Sequence, residues 1–457
     1  MSQLHPLQSI NVVFPEGVYA DVRLERNVEH RVLYRDGELE DVQSTVETGA
    51  LIRVLRDGQW LFASTTELDR INDVLTELAL SRVLPPMERD VGVESLMIHR
   101  DQVWIFDDER IDQVPMANKL GFLKRLLPSM ARASIRSWNA RWLDQHRDRR
   151  FLSSRGADVS HDYQECGVIL SFTMGDSGNA VQESFRVSGH RISDLESKGP
   201  GVLADLETLL DKCQRFADEA TSIQAGQATV ILSPEAAGIF AHESFGHKSE
   251  ADTMLGDPQM LEDWKIGSRV AADGVSIIDG GSGLGSGYMP YDDEGQKTGT
   301  THLIKNGLLS GRLHSALTAA ALGESLTANA RAMSFRFEPI VRMTTTTFAA
   351  GEMTKSALFE GVDDGYFIET VRHGSGMSTF TIAPGLCWKI RHGKLAEPVR
   401  IAVLTGTVFE TLGEIDGLSD EVQIPFLVGG GCGKLEQWPL SVGFGGPYVR
   451  VRRMNVS

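Results

Sequence analysis

The sequence predicts an α+β protein: an N-terminal hairpin-and-helix region followed by a strand-rich C-terminal domain that carries a helix with a His-Glu-x-x-x-His pattern. Three observations predict it. Short β-prone runs are broken by Asp36-Gly37, Asp57-Gly58, Asn306-Gly307 and His392-Gly393, dipeptides that suit hairpin turns. Apolar residues recur at helical spacing through 68–78, 120–135 and 203–216. Glycine is concentrated in the second half, as expected where tight turns and bulges join strands. Composition shifts divide the chain into an N-terminal α+β region (1–110), a helical and strand region (111–225) and a β-rich domain (226–457).

Residues 18–63 read as strands, with Val22 and Leu24 alternating with charged neighbours. Ser64 with Glu67 fits a capping box, and Leu68, Ile71, Val74, Leu75 and Leu78 form the apolar stripe of the helix that follows, which Pro85-Pro86 stops. Residues 87–112 read as a polar loop or linker. From Ile111 to about His146 the pattern predicts a helix on Leu120, Leu123, Leu127, Met130 and Ile135, with Pro128 a kink or boundary and the basic residues between Lys124 and Arg150 forming a solvated face. Strands follow at Val168–Phe172 and Glu183–Ser188. A helix over Leu203–Glu219 places Cys213 on its core face, and Gln227–Leu232 is a short strand.

Beyond residue 270 strands dominate, at His302–Ile304, Ile340–Thr346, Gly365–Thr370, Cys387–Ile390, Val399–Leu404 and Val442–Arg452, with helices at Leu313–Leu322 and Met353–Leu358. The run Asp279-Gly280-Gly281-Ser282-Gly283-Leu284-Gly285 lacks the Gly-Lys-Ser/Thr ending of a phosphate loop and reads as a lid or turn. Asp292-Asp293-Glu294 could bind a cation, although such clusters usually lie in solvated loops.

Composition narrows the function classes. A net charge of −17 favours solubility and argues against direct nucleic-acid binding by the whole chain. No apolar run approaches a membrane span, and the N-terminus lacks a signal pattern, so the expected location is cytoplasmic. Four cysteines in 457 residues do not make a disulfide framework; each is core, nucleophile or ligand.

The chemistry concentrates in Ala241-His242-Glu243-Ser244-Phe245-Gly246-His247. Two imidazoles with a carboxylate directly after the first is the pattern of zinc hydrolases, where Glu is the general base. In those motifs the His lie at i and i+4, about 40° apart around a helix; at i and i+5 they lie about 140° apart. Either the helix widens by one residue, as a π-bulge does, or it ends near Gly246 and His247 reaches back. Ser233 as N-cap and Pro234 at the first turn begin this helix. Far along the chain, Cys432 is flanked by Gly431 and Gly433, neighbours that suit a Cys brought close to a metal or substrate. His242, His247 and Cys432 are a workable zinc set that leaves a fourth position open, with Glu243 as base. His302 and His373 compete with Cys432 for the third place.

Taken together these motifs resemble the TldD/PmbA family of metallopeptidases. The likeness rests on His242-Glu243-Ser244-Phe245-Gly246-His247, Asp292-Asp293-Glu294-Gly295, Lys305-Asn306-Gly307-Leu308, Asn329-Ala330-Arg331, and Cys432-Gly433-Lys434 with Gly443 and Pro447. The resemblance implies the catalytic, TldD-like type of subunit, in which both His of the motif and the late Cys hold zinc. It also implies a homodimer or a heterodimer with a related subunit, and short or unfolded peptides bound in extended form. A non-catalytic subunit that binds peptide or partner is the alternative reading. The chain departs from the family pattern at Ala328, where a Gly is expected.

Overall fold

The computed structural model describes residues 5–82 and 90–457. In the N-terminal half, β1 (Ala20–Arg35), β2 (Glu38–Arg56), β3 (Gln59–Thr65), α1 (Ile71–Leu80), β4 (Arg100–Val103), α2 (Met116–Leu126), β5 (Ile135–Ser153), β6 (Asp158–Met174) and β7 (Val181–Gly189) are followed by α3 (Ile192–Ser197) and α4 (Gly201–Glu219). One sheet runs in the order β3-β2-β1-β5-β6-β4, with β7 also on β6. β1 pairs with β5 along nearly its whole length, Asp21 opposite Ser153 through Arg35 opposite Asn139, so the division expected at residue 110 falls inside a sheet. The four X-Gly turns form as their residues dictate, both members of each pair having positive φ.

Three expectations for this half are corrected. Residues 135–146 are strand, not helix. Ala140, Trp142, Asp144, His146 and Asp148 are buried while residues 139, 141, 143, 145 and 147 are half-buried, a period of two that is hidden because three of the buried residues are polar. The basic residues of this stretch therefore divide between helix and strand, and Arg149 is buried. Ser64 does not cap α1: it lies in β3, and the chain turns into the helix with the Glu67 amide donating to Thr65 Oγ1 at 2.9 Å. Pro85-Pro86 and the start of the 87–112 loop fall outside the described residues; the rest of that loop includes β4, parallel to β6. α2 and α4 pack on one face of the sheet around Trp142, Phe122, Leu206 and Cys213, so Cys213 is core as expected.

The C-terminal half is strand-rich. β8 (Thr221–Ser222) and β9 (Gly226–Leu232) lead into α5 (Pro234–Ala241). β9 is central in a ten-stranded sheet, parallel to Asp364–Ile368 and antiparallel to Val449–Val456. α5 and the turn after it pack into the main core through Phe240 and Phe245, between that sheet and a five-stranded one that holds Thr345–Phe348. Ala328 has φ 58°, the left-handed backbone that a family Gly would adopt without strain.

Asp292-Asp293-Glu294 is neither solvated nor a cation loop. All three carboxylates are buried. Asp293 lies 3.0 Å from Arg149 and 3.5 Å from Arg23, and Glu294 lies 3.7 Å from Arg53. The Ala332 and Ala316 amides donate to Asp293 and Glu294. Guanidiniums from β1, β2 and β5 thus occupy the place a metal would take, and they join the two halves. Removing one partner of such a network strands the others in a low dielectric. Asp293→Ala is expected to lower unfolding free energy by about 3–5 kcal/mol, read from the urea midpoint.

Candidate metal centre

The helix carrying the two histidines starts as its residues predict. The Ala236 amide donates to Ser233 Oγ at 3.2 Å, and Pro234 follows. α5 is regular to Ala241; His242–Gly246 then form a single π turn, and His247–Ser249 a 3-10 turn. The widening brings the His242 and His247 rings to 4.9 Å between centroids. Gly246 serves a different purpose from the one its backbone freedom suggests. Its angles, φ −58° and ψ −54°, are ordinary for a helix. What the site requires is the missing side chain, since a Cβ there would collide with Met343 Sδ.

Cys432 sits in a strand, Cys432–Lys434, that pairs with Gln437–Leu440. Two buried arginines hold this hairpin: Arg342 donates to Cys432 O at 2.7 Å, and Arg331 donates to Ser441 O at 2.8 Å and to Met343 O. Cys432 Sγ thereby lies 3.1 Å from His247 Nε2. One ligand atom each from His242, His247 and Cys432 falls within 4.8 Å of the others. His302 is exposed on the strand Thr300–Lys305 and lies outside this cluster. His373 lines the same cavity but is also outside the cluster.

Residues behind the cluster escaped the sequence reading. His247 Nδ1 donates to Glu250 Oε2 at 3.2 Å, which leaves Nε2 facing Cys432. Lys434 Nζ lies 3.0 Å from Glu250 Oε2 and donates to Asp252 at 2.6 Å. A carboxylate three residues after a His on a helical turn was a legible signal for this arrangement. Glu243 is half-buried beside the cluster, under the strand Val371–Gly376. Gly374 and Gly376 make room for it: Cβ atoms there would lie 2.9 Å from Glu243 Cγ and 2.7 Å from Glu243 O.

The electrostatics follow from this packing. Burial opposes ionisation of Cys432, but His242 and His247 beside it prevail and bring the thiol down to about 5. Burial likewise opposes charge on His247, yet its bonds to Cys432 and Glu250 lift it to about 10. Burial pushes the Glu243 carboxyl up, and the two histidines only partly offset this. Two imidazoles and an easily ionised thiol suit zinc, which takes His and Cys at about 2.0–2.3 Å. His242 Nδ1 is buried with no hydrogen-bond partner among the described residues. His242, Glu243, His247 and Cys432 open onto one cavity of about 490 Å³.

The fold and site define a class: two mixed α+β halves around a His-His-Cys cluster, with both histidines on one irregular helix and the cysteine on a distant strand. Residues 225–457 match the model of the PmbA/TldA metallopeptidase C-terminal domain, and 20–81 that of domain 1. The chain is 31% identical to a metalloprotease of Synechocystis sp., over 98% of each chain. It is 26% identical to a zinc metalloprotease TldD homolog of Saccharolobus solfataricus, over 96% of each. Its fold is similar to that of TldE from Thermococcus kodakarensis, with TM-score 0.74 at 14% identity over 96% of each chain. This chain belongs to the PmbA/TldD metallopeptidase family. Among the described residues no helix is long and apolar enough to cross a membrane.

The thiol shift has a measurable outcome. In protein treated with chelator, iodoacetamide should alkylate Cys432 at a rate that rises through about pH 5 and then levels, as the thiolate fraction does. Cys166, Cys213 and Cys387 are fully buried with thiols pushed up, and should stay unmodified by mass spectrometry.

Proposed function

We propose that the chain is a zinc-dependent peptidase of the TldD type that cleaves short or unfolded peptides held in extended form. The observation that carries this reading is the convergence of His242, His247, Cys432 and Glu243 on one cavity. His242, His247 and Cys432 would hold the ion. Zinc, when bound, supplies Lewis acidity toward water and the scissile carbonyl. Glu243 takes a proton from the attacking water and returns it to the leaving amine. A carboxyl held above its usual range by burial is better matched to both transfers than a solvated one. Glu250, anchored by Lys434, fixes the His247 ring so that Nε2 points inward. The cavity is lined by Arg141, Ile169 and Arg186 of the N-terminal sheet and by the C-terminal half, and in this reading an extended chain lies between them. Assembly with a second copy or a related subunit belongs to this reading. So does a cytoplasmic setting, which keeps the four free cysteines reduced.

Glu243→Ala is expected to lower kcat/KM for peptide hydrolysis by about 10²- to 10⁴-fold with zinc content retained. Undiminished hydrolysis by the zinc-loaded variant would remove Glu243 as the base. Cys432→Ser should lose zinc by metal analysis; unchanged content would move the third ligand to His373, which lines the same cavity, whereas His302 lies outside it. Glu250→Gln should weaken zinc affinity by about 10- to 100-fold in a chelator competition, since it frees the His247 ring.

A further inference from the structure

The wall of the cavity that faces the His-His-Cys cluster is the sheet of the N-terminal half. Arg141 on β5 stands opposite Ile169 on β6, and Ile169 opposite Arg186 on β7. The two arginines therefore share one face and one row, about 10 Å apart across two strand spacings. Both line the cavity with His242, Glu243 and Cys432. A trough of about 440 Å³ continues from it past Arg186 and Arg372 toward Trp138 and Phe172, leaving room for chain on one side of the cluster.

These cations are poorly matched by the protein. Among the described residues the Arg141 side chain makes no ion pair or hydrogen bond, and its Nε is buried. Arg186 has Glu235 at 3.9 Å, beyond hydrogen-bond reach, and Glu183 further off, and it makes no side-chain hydrogen bond among the described residues. Burial, and then the neighbouring Arg186 charge, hold the Arg141 guanidinium below its usual range. Several other arginines, Arg342 among them, also keep a buried Nε without a partner, but Arg53, Arg149 and Arg342 still bond carboxylates or carbonyls through the rest of the guanidinium. Two adjoining guanidiniums on the wall facing the cluster, one without a partner and the other only loosely paired, point to an anion supplied from outside. A planar fork pairs best with a carboxylate.

We propose that Arg141 and Arg186 form a carboxylate-binding subsite, so that preferred substrates are peptides carrying a carboxylate close to the bond that is cut. The inference rests on the peptidase reading above. The carboxylate is either a free C-terminus or an Asp or Glu side chain, and the two sources share one chemistry.

The test uses peptide pairs that differ in one group: C-terminal acid against amide, and Asp or Glu against Asn or Gln. Binding to zinc-loaded Glu243→Gln protein is measured by calorimetry, and kcat/KM is measured on the unaltered enzyme. In at least one pair the acid should bind about 10- to 100-fold tighter than its neutral twin, the range of a charge-assisted bond. The pair that shows the preference identifies the source. Adding Arg141→Gln should bring the ratio to about one, and Arg141→Lys should restore part of it. Twins that bind alike, or a ratio that survives Arg141→Gln, overturn the proposal. Should Arg141→Gln misfold by circular dichroism, Arg186→Gln decides by the same ratio. Equal cleavage of both twins leaves the peptidase reading standing without the subsite. A carboxylate preference in binding with no cleavage by zinc-loaded enzyme leaves the subsite standing without the peptidase.

Discussion

Everything at the centre of this molecule depends on one local departure from the α-helix, the π turn at His242–Gly246. Two side chains five residues apart on a regular helix diverge too far to face one point. Widening a turn sacrifices regular i→i−4 bonding, so it persists only where the surroundings over-determine it. Here three sides do so. Met343 fills the space that a side chain at Gly246 would need. Phe245 is locked against Trp264, ring to ring at 4.8 Å. Ser249 Oγ donates to Phe245 O at 2.9 Å, occupying a carbonyl beside the irregular turn. The strand bearing Gly374 and Gly376 closes the remaining side. The spacing of the motif is thus inseparable from glycines and a methionine far away in sequence.

The third donor comes from still further off, and its placement is a tertiary achievement. The Cys432 hairpin is held by Arg342, the neighbour of Met343, at the Cys432 carbonyl, and it is tied to the irregular segment by Lys434 through Glu250, which in turn holds His247. The opposite wall of the cavity belongs to the N-terminal sheet, and that sheet is registered on the C-terminal half by the Arg23, Arg53 and Arg149 network on Asp293 and Glu294. Buried ion pairs contribute little net stability against apolar substitutes, but each fixes a distance and an angle. Their role in this chain is alignment: they set the sheet that carries Arg141 and Arg186 over the helix that carries His242 and His247.

Much of this was legible in the sequence, for identifiable reasons. Turns written as Asp-Gly, Asn-Gly or His-Gly declare their backbone, and all four formed. Helices with a clean apolar stripe, such as α4, were readable from periodicity alone. The i, i+5 histidines announced a widened turn because geometry allowed few alternatives. What failed to show was burial of polar residues. β5 hides its period of two because Asp144, His146 and Asp148 fill inward positions. Asp292-Asp293-Glu294 looked solvated because its arginine partners lie some 140 to 270 residues earlier in the chain. Gly246 signalled flexibility when its function is contact, a distinction that only the neighbour Met343 reveals. Local signals report backbone; compensation of charge is a long-range property.

The same distinction governs charge at the site. A net of −17 describes the chain as a whole and bears on solubility. It says nothing about the sign of an interior wall. Alternation along β5 sends Asp144, His146 and Asp148 to one face of the sheet and Arg141, Arg147 and Arg149 to the other, so a strand of mixed charge presents mainly cations toward the C-terminal half. Arg149 is neutralised there by Asp293 and Glu25, whereas Arg141 is not. An acidic protein can therefore hold a cationic wall opposite its candidate metal centre. The field that a ligand meets inside the cavity is set by which arginines lack partners, a quantity that no sum over the sequence contains.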